Sequence, residues 1–384
     1  MASGNDSAPP FAAPRGSKDS DLQAMRVETS GTANAPSRKP FRLLWVIVGI
    51  VITAAAIGVG AGVTWHHASG NDVPSGIPLV SGKSLVWITI GDWGRLGGYA
   101  QREVAESMGA AAAAVSASFI VSVGDNFYDA GVSSVDDSQF NESWRDIYTH
   151  PALSARPWLV IAGNHDYRGG TPSLRGQIDY SARDPRWRFP ALNTTMSYAF
   201  GGQPGSDVQF VFVDTCPYIQ KYKESPDNPA FAAAMAAADP TAQLAWLEKT
   251  LGAAAASPST AATIVVGHHP IYSGGEHGDS EDLKVAFLPL FMRYGVDAYI
   301  AGHDHTLIHL AANGTQFVVS GAGSKIRDNT IWTNETRFFA DVAGFTVHSV
   351  NASHACHSYM GPVGELLWYT VVPLRKTTES TATA

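Results

Sequence analysis

The chain has 384 residues, 45% hydrophobic and 16% charged, with a formal net charge of −8. This is a globular composition with room for one large or two ordinary domains, and its acidic balance argues against a nucleic-acid-binding surface, which is ordinarily basic. Its two cysteines, Cys216 and Cys356, exclude a disulfide scaffold and lack zinc-site spacing; whether they pair stays open.

Residues 1–42 are rich in Ser, Ala, Pro and Gly and show no apolar period, as in a disordered tail. Leu43–Trp65 then runs for twenty-three residues without a charge. As a helix it would rise roughly 34 Å, enough to cross a bilayer with some tilt. Trp45 and Trp65 stand near its ends, Arg38, Lys39 and Arg42 flank its N-terminal side, and the next cation is Lys83. The positive-inside rule then expects a single-pass type II anchor, with the tail in the cytosol and the large domain extracellular or in the lumen of the secretory or lysosomal system. A cleaved signal peptide is the competing reading, although a lead-in of about 40 residues is long for one. Five N-glycosylation triplets, at Asn141, Asn193, Asn313, Asn334 and Asn351, all follow the apolar span and agree with that orientation.

Residues 66–83 read as a Gly/Ser/Pro linker, residues 84–375 as one catalytic domain and residues 376–384 as a polar tail. Within the domain, short runs rich in β-branched and aromatic residues predict strands at Leu85–Ile90, Phe119–Val123, Trp158–Ile161, Val208–Val213, Thr263–Val266, Ala298–Ile300 and Phe317–Val319. Helices are expected at Ala-rich Gln101–Ala117, at Gln243–Ala255 after the capping pair Asp239-Pro240, and at amphipathic Leu283–Tyr294. Strands alternating with helices argue an α/β fold, and Gly344–Leu374 reads as strands alone, which suggests a mixed sheet or a pair of sheets.

Five motifs follow apolar runs: GDWG (Gly91–Gly94), GDNFY (Gly124–Tyr128), GNHD (Gly163–Asp166), VVGHHP (Val265–Pro270) and GHDH (Gly302–His305). In α/β sheets, ligands gather in loops beyond the carboxyl ends of strands, and glycine lets the backbone turn sharply there. The motifs supply carboxylate, phenol, amide and imidazole, a mixed oxygen and nitrogen set suited to iron, manganese or zinc. A bridging carboxylate holds two such ions roughly 3.5–4 Å apart. Each motif alone reads more simply as a turn, a helix cap or core; five in one domain read as a binuclear metal site.

These motifs resemble the metallophosphoesterase superfamily and, through Tyr128, the purple acid phosphatases, most of all the small tartrate-resistant type of animals. The likeness extends to RWRFP (Arg186–Pro190), QLAWLEKTL (Gln243–Leu251), EHG (Glu276–Gly278) and SGAGS (Ser320–Ser324), and covers about residues 84–374. It implies the calcineurin-like fold, two mixed β-sheets flanked by helices. It also implies that Asp92, Tyr128 and His305 hold Fe(III), that Asn164, His268 and His303 hold a divalent ion (iron or zinc, with manganese possible), and that Asp125 bridges them. Attack by a metal-bound hydroxide on small phosphomonoesters or phosphoproteins is then expected, with His165 and His277 contacting phosphate and protonating the leaving group, and Asp166 orienting an imidazole.

Departures from the family concern His269, which replaces an aromatic residue, and the cysteines, so the family's disulfide is not assumed. Tyr218–Pro240 is expected as an exposed loop over the site, and His309, His354 and His357 as structural or surface residues. The rival readings are a manganese- or zinc-dependent phosphodiesterase or nucleotidase and an inactive surface module. Intact ligand positions speak against the latter.

Overall fold

The computed structural model describes residues 76–201, 205–224 and 228–376. The expected span at 43–65 lies outside them, and among the described residues no helix is long and apolar enough to cross a membrane.

In chain order the domain runs β1 (Leu85–Ile90), α1 (Gln101–Ala114), β2 (Ile120–Ser122), a π-helical turn (Phe140–Arg145), α2 (Pro151–Ser154) and β3 (Trp158–Val160). Helices α3 (Asn164–Arg168) and α4 (Gly170–Tyr180) precede β4 (Trp187–Arg188), β5 (Thr194–Ala199) and β6 (Asp207–Phe212). Then come α5 (Gln220–Lys223), α6 (Pro229–Ala237), α7 (Pro240–Ala256), β7 (Thr260–Val266), α8 (Glu281–Tyr294) and β8 (Ala298–Ala301). Strands complete the domain: β9 (Leu307–Ala312), β10 (Thr315–Ser320), β11 (Thr336–Ala340), β12 (Phe345–Val350), β13 (His354–Met360) and β14 (Leu366–Pro373).

These strands form two seven-stranded mixed sheets, ordered β14-β13-β12-β1-β2-β3-β4 and β11-β9-β10-β8-β7-β6-β5. The parallel block β1-β2-β3-β4 is bordered by antiparallel strands on its β1 side, and the parallel block β6-β7-β8-β10 on both sides. Strand β1 shows why its sequence is apolar throughout. Leu85 and Trp87 face the core shared by both sheets, with Phe210, Ile264 and Ile300. Val86, Ile88 and Ile90 face the opposite way, against Val104 and Met108 of α1. A strand covered on both faces reads as a continuous hydrophobic run. The second sheet is covered on its outer face by α7 and α8 through Leu247, Leu251, Leu283 and Phe287. The architecture is therefore helix, sheet, sheet, helix.

The cap expected for α7 is present, as Asp239 Oδ1 accepts from Ala242 N at 2.9 Å. Gly295, at φ 64, ends α8 in the left-handed conformation that glycine adopts without a Cβ penalty. Residues 218–240 are not a bare loop: their described part carries α5 and α6, with Phe231 and Met235 buried. Residues 76–83 lie on the domain. Ile77 and Val80 are buried, and Val80 N donates to Ser349 Oγ at 2.9 Å. Cys216 and Cys356 are both buried and free.

Candidate metal centre

Five strand ends, three from one sheet and two from the other, feed one cleft: β1 leads to Asp92, β2 to Asp125, β3 to Asn164, β7 to His268 and β8 to His303. Buried aromatic residues beside these side chains hold the loops. Trp93 of GDWG is fully buried, donates from Nε1 to Ser122 Oγ at 2.8 Å, and packs edge-on against Phe127, Trp158 and Trp187. Phe127 of GDNFY occupies the same cluster. Two glycines are required by close approach. A Cβ on Gly163 would collide with Asp125 Oδ1, and one on Gly302 would come 2.5 Å from Asp92 Oδ2.

All seven expected ligands are buried. Tyr128 Oη lies 3.1 Å from each of Asp92 Oδ1, Asp125 Oδ2 and His305 Nε2. His268 Nε2 lies 3.2 Å from Asn164 Oδ1 and 3.5 Å from Asp125 Oδ1. The rings of His268 and His303 are 5.1 Å apart between centroids. Asp92, Asp125 and His303 take positive φ values of 60, 50 and 68. For residues with a Cβ this costs about 1–2 kcal/mol each, a strain found where side chains must point into a site.

The donor set fits cations. His268 Nδ1 donates to Val123 O at 2.8 Å, which fixes the ring and leaves Nε2, 3.2 Å from Asn164 Oδ1 and 3.5 Å from Asp125 Oδ1, as the nitrogen that faces the cleft. Burial, and then the neighbouring Asp125, push the Asp92 carboxyl well above the usual carboxylate range. Burial pushes Asp125 up as well, but His268 and His165 outweigh it and hold Asp125 ionised. Burial followed by the two carboxylates raises the Tyr128 phenol far above its ordinary value. Positive charge among these groups would oppose the rise at Asp92 and Tyr128 and hold Asp125 ionised more firmly.

His165 and His277 stand at the edge of the cluster. His165 Nδ1 donates to Asp129 O at 2.6 Å, its backbone N donates to Asp125 Oδ1 at 2.7 Å, and burial lowers its imidazole to about 4. The ring of His277 is 4.2 Å from that of His303, and its Nδ1 lies 2.7 Å from Asp304 Oδ1. Asp304, inside GHDH, was missed by the sequence reading. Its carboxylate also accepts from His277 N at 3.0 Å and from Ser273 Oγ. The orienting role expected of Asp166 is not what the structure shows. Its carboxylate accepts from Gly163 N at 2.8 Å, Asn126 N at 3.1 Å and Gln177 Nε2 at 2.9 Å, tying two motif loops together without touching an imidazole. His269 lies within the His268–His303 cluster, yet its Nδ1 bonds Thr215 Oγ1 at 2.8 Å and its Nε2 bonds Tyr222 Oη at 2.9 Å, so both nitrogens are engaged in packing. His309 and His357 are buried and His354 is exposed, all away from the cleft.

Residues 88–307 match the calcineurin-like phosphoesterase family. Purple acid phosphatase 7 of Arabidopsis thaliana is 35% identical over 288 residues, covering 74% of this chain and 84% of that one. Tartrate-resistant acid phosphatase type 5 of Homo sapiens is 31% identical over 314 residues, covering 76% and 92%. Among solved structures, GAP50, the anchor in the inner membrane complex of Plasmodium, superposes with a TM-score of 0.64 at 23% identity, covering 77% of this chain and 90% of that one. At that identity the match speaks for the fold alone. With this fold, this donor set and these relatives, the chain belongs to the calcineurin-like phosphoesterases and, within them, to the purple acid phosphatases, and it is a metal-dependent acid phosphatase.

Proposed function

We propose that the seven residues divide as the family resemblance implies: Asp92, Tyr128 and His305 toward a ferric ion, Asn164, His268 and His303 toward a divalent iron or zinc ion, and Asp125 between them. The observation that carries this reading is the Tyr128 oxygen, equidistant at 3.1 Å from two carboxylates and an imidazole. When bound, such a pair supplies Lewis acidity that polarises a phosphoryl group and lowers the pKa of water.

The remaining work falls to the chain's own groups. A cavity of about 280 Å³ opens beside His277 and His303, a size suited to a small phosphomonoester. Substrate phosphate lies against His165 and His277 in this reading. With Nδ1 of each ring engaged by Asp129 O and Asp304 Oδ1, Nε2 is the atom that delivers a proton to the leaving alkoxide oxygen. Burial is the main cause that lowers the His165 imidazole to about 4, against the opposing pull of Asp125, and a phosphate dianion beside it favours the protonated form.

The deciding experiment is the visible spectrum of the oxidised, iron-loaded protein. A broad band that disappears in Tyr128→Phe supports tyrosinate on ferric iron. A colourless protein holding two metals per chain would overturn the ferric assignment and favour the phosphodiesterase or nucleotidase reading.

We further propose type II topology through residues 43–65, supported by the flanking charges and the glycosylation triplets beyond the span. Asn141, Asn313 and Asn334 are exposed, whereas Asn193 Oδ1 accepts from Asp214 N at 3.1 Å and Asn351 Nδ2 donates to Ser81 O at 3.0 Å. Expression in a glycosylating host should therefore place glycans on the first three and not on the last two. A membrane-bound chain with no glycan on any of the three would sink this topology.

A further inference from the structure

Arg95 follows the GDWG turn directly, with only 14% of its side chain exposed. Its guanidinium carbon lies 3.5 Å from the centroid of the Tyr128 ring and 5.5 Å from that of Tyr99. Lys325 Nζ lies 5.7 Å from the same Tyr99 ring, and the ring of His165 lies 4.2 Å from that of Tyr128. Neighbouring contacts thus run Lys325, Tyr99, Arg95, Tyr128, His165, with cations and aromatic rings alternating up to the imidazole. Among the described residues, Arg95 Nε is buried without a hydrogen-bond partner, and the guanidinium has one ionic contact, Nη1 to Asp129 Oδ1, long at 3.9 Å. A buried guanidinium is costly unless something compensates it, and here the compensation is the ring faces. The Asp129 that it meets is also the residue whose carbonyl accepts from His165 Nδ1 at 2.6 Å.

We propose that Arg95 is a positioning residue for the phosphatase reaction. Stacked on Tyr128 and paired with Asp129, it aims the phenol oxygen at Asp92, Asp125 and His305, holds the turn that orients His165, and draws electron density from the Tyr128 ring. This rests on Tyr128 being a metal ligand. No bond is made or broken at Arg95. A planar guanidinium lies flat on a ring as an ammonium cannot, so lysine is a partial substitute only.

The test uses full-length, iron-loaded protein with Arg95→Gln, Arg95→Lys, Tyr99→Ala and Tyr128→Phe in parallel, with iron content and circular dichroism establishing folded, replete samples. Light moves an electron from the ring to iron, and a cation on the ring holds that electron back. Arg95→Gln should therefore shift the band to longer wavelength, Arg95→Lys less so. Displacing the oriented ring and imidazole should lower kcat about tenfold in Arg95→Gln with KM for a small phosphomonoester unchanged, and Lys should restore part of it. Tyr99→Ala, at a position 67% exposed, loosens the clamp without threatening the core and should show a smaller change in both readouts. Wild-type band and kcat in an iron-replete Arg95→Gln or Tyr99→Ala sample overturn the proposal. A band that survives in Tyr128→Phe overturns the underlying ligand assignment instead.

Discussion

The residues expected to carry the chemistry differ in what their loss should do. Asp125 lies against Tyr128, His268 and the His165 amide at once, so Asp125→Asn removes the charge that several donors converge on and should release metal. His165 contacts this cluster through its backbone N, while its ring is tied to Asp129 O. His165→Ala should therefore keep both metals, by elemental analysis, and lose 10²- to 10⁴-fold in kcat, the usual worth of a positioned proton donor, given roughly. Full activity in that variant would remove His165 from the mechanism. The seven ligand candidates were legible as a set because each stood after an apolar run. Asp304 and Arg95 were not, because an acid between two histidines and an arginine after a glycine carry no distinctive spacing; only burial, and distances of 2.7 Å to His277 and 3.5 Å to the Tyr128 ring, distinguish them.

Elements were legible where the signal was both strong and local. Strand β1 and the Asp239-capped helix α7 were expected within a few residues of their observed bounds, since an unbroken apolar run and an N-cap followed by proline are properties of adjacent residues. Helix α4, Gly170–Tyr180, was not foreseen: it begins with glycine and proline and has few apolar residues, and it is held by tertiary packing of Leu174 and Tyr180. Helix α6 had a readable cue that was passed over. Asn228-Pro229 repeats the capping logic of Asp239-Pro240, and Asn228 Oδ1 accepts from Phe231 N at 2.9 Å. Strands β9 and β11 pair with partners whose register no short window reveals.

At the scale of the molecule, the seam between the sheets holds three buried imidazoles. His309 bonds Tyr359 Oη at 2.8 Å, and His348 Nδ1 meets His357 Nδ1 at 2.8 Å. Burial pushes His309 down to about 4, His348 down to about 3 and His357 well below its ordinary value. An unfolded histidine titrates near 6.5, so below that pH the unfolded chain binds protons that the native chain refuses. The stability tied to these groups is complete above about pH 6.5 and falls as the pH drops toward their native values. Asp297, which burial raises to about 6, works the other way: it favours the native state at low pH, and that contribution fades as pH rises from about 4 to 6. Because the two oppose each other, a difference between chains is the clean measurement. Replacing His309 by Phe should reduce the loss of unfolding free energy between pH 7 and pH 5 by about 2 kcal/mol relative to wild type, read from urea titrations at both values. An unchanged difference would mean that His309 does not stay neutral in the native fold.

By itself the sequence determined the chemistry available and where along the chain it stands: strand ends followed by glycine and then by Asp, Asn or His, together with the tyrosine that marks the family. These are local facts, since the alternation and turning of a backbone depend on a few neighbours. Only the tertiary structure decided that loops from two separate sheets share one cleft, bringing Tyr128 within 3.1 Å of His305, which is 177 residues away. It also decided that Asp304 rather than Asp166 orients a cleft histidine, that His269 packs, and that Arg95 lies on the Tyr128 ring. Each of these depends on how two sheets and their covering helices pack, an arrangement set by burial summed over the whole core and not by any short stretch of residues.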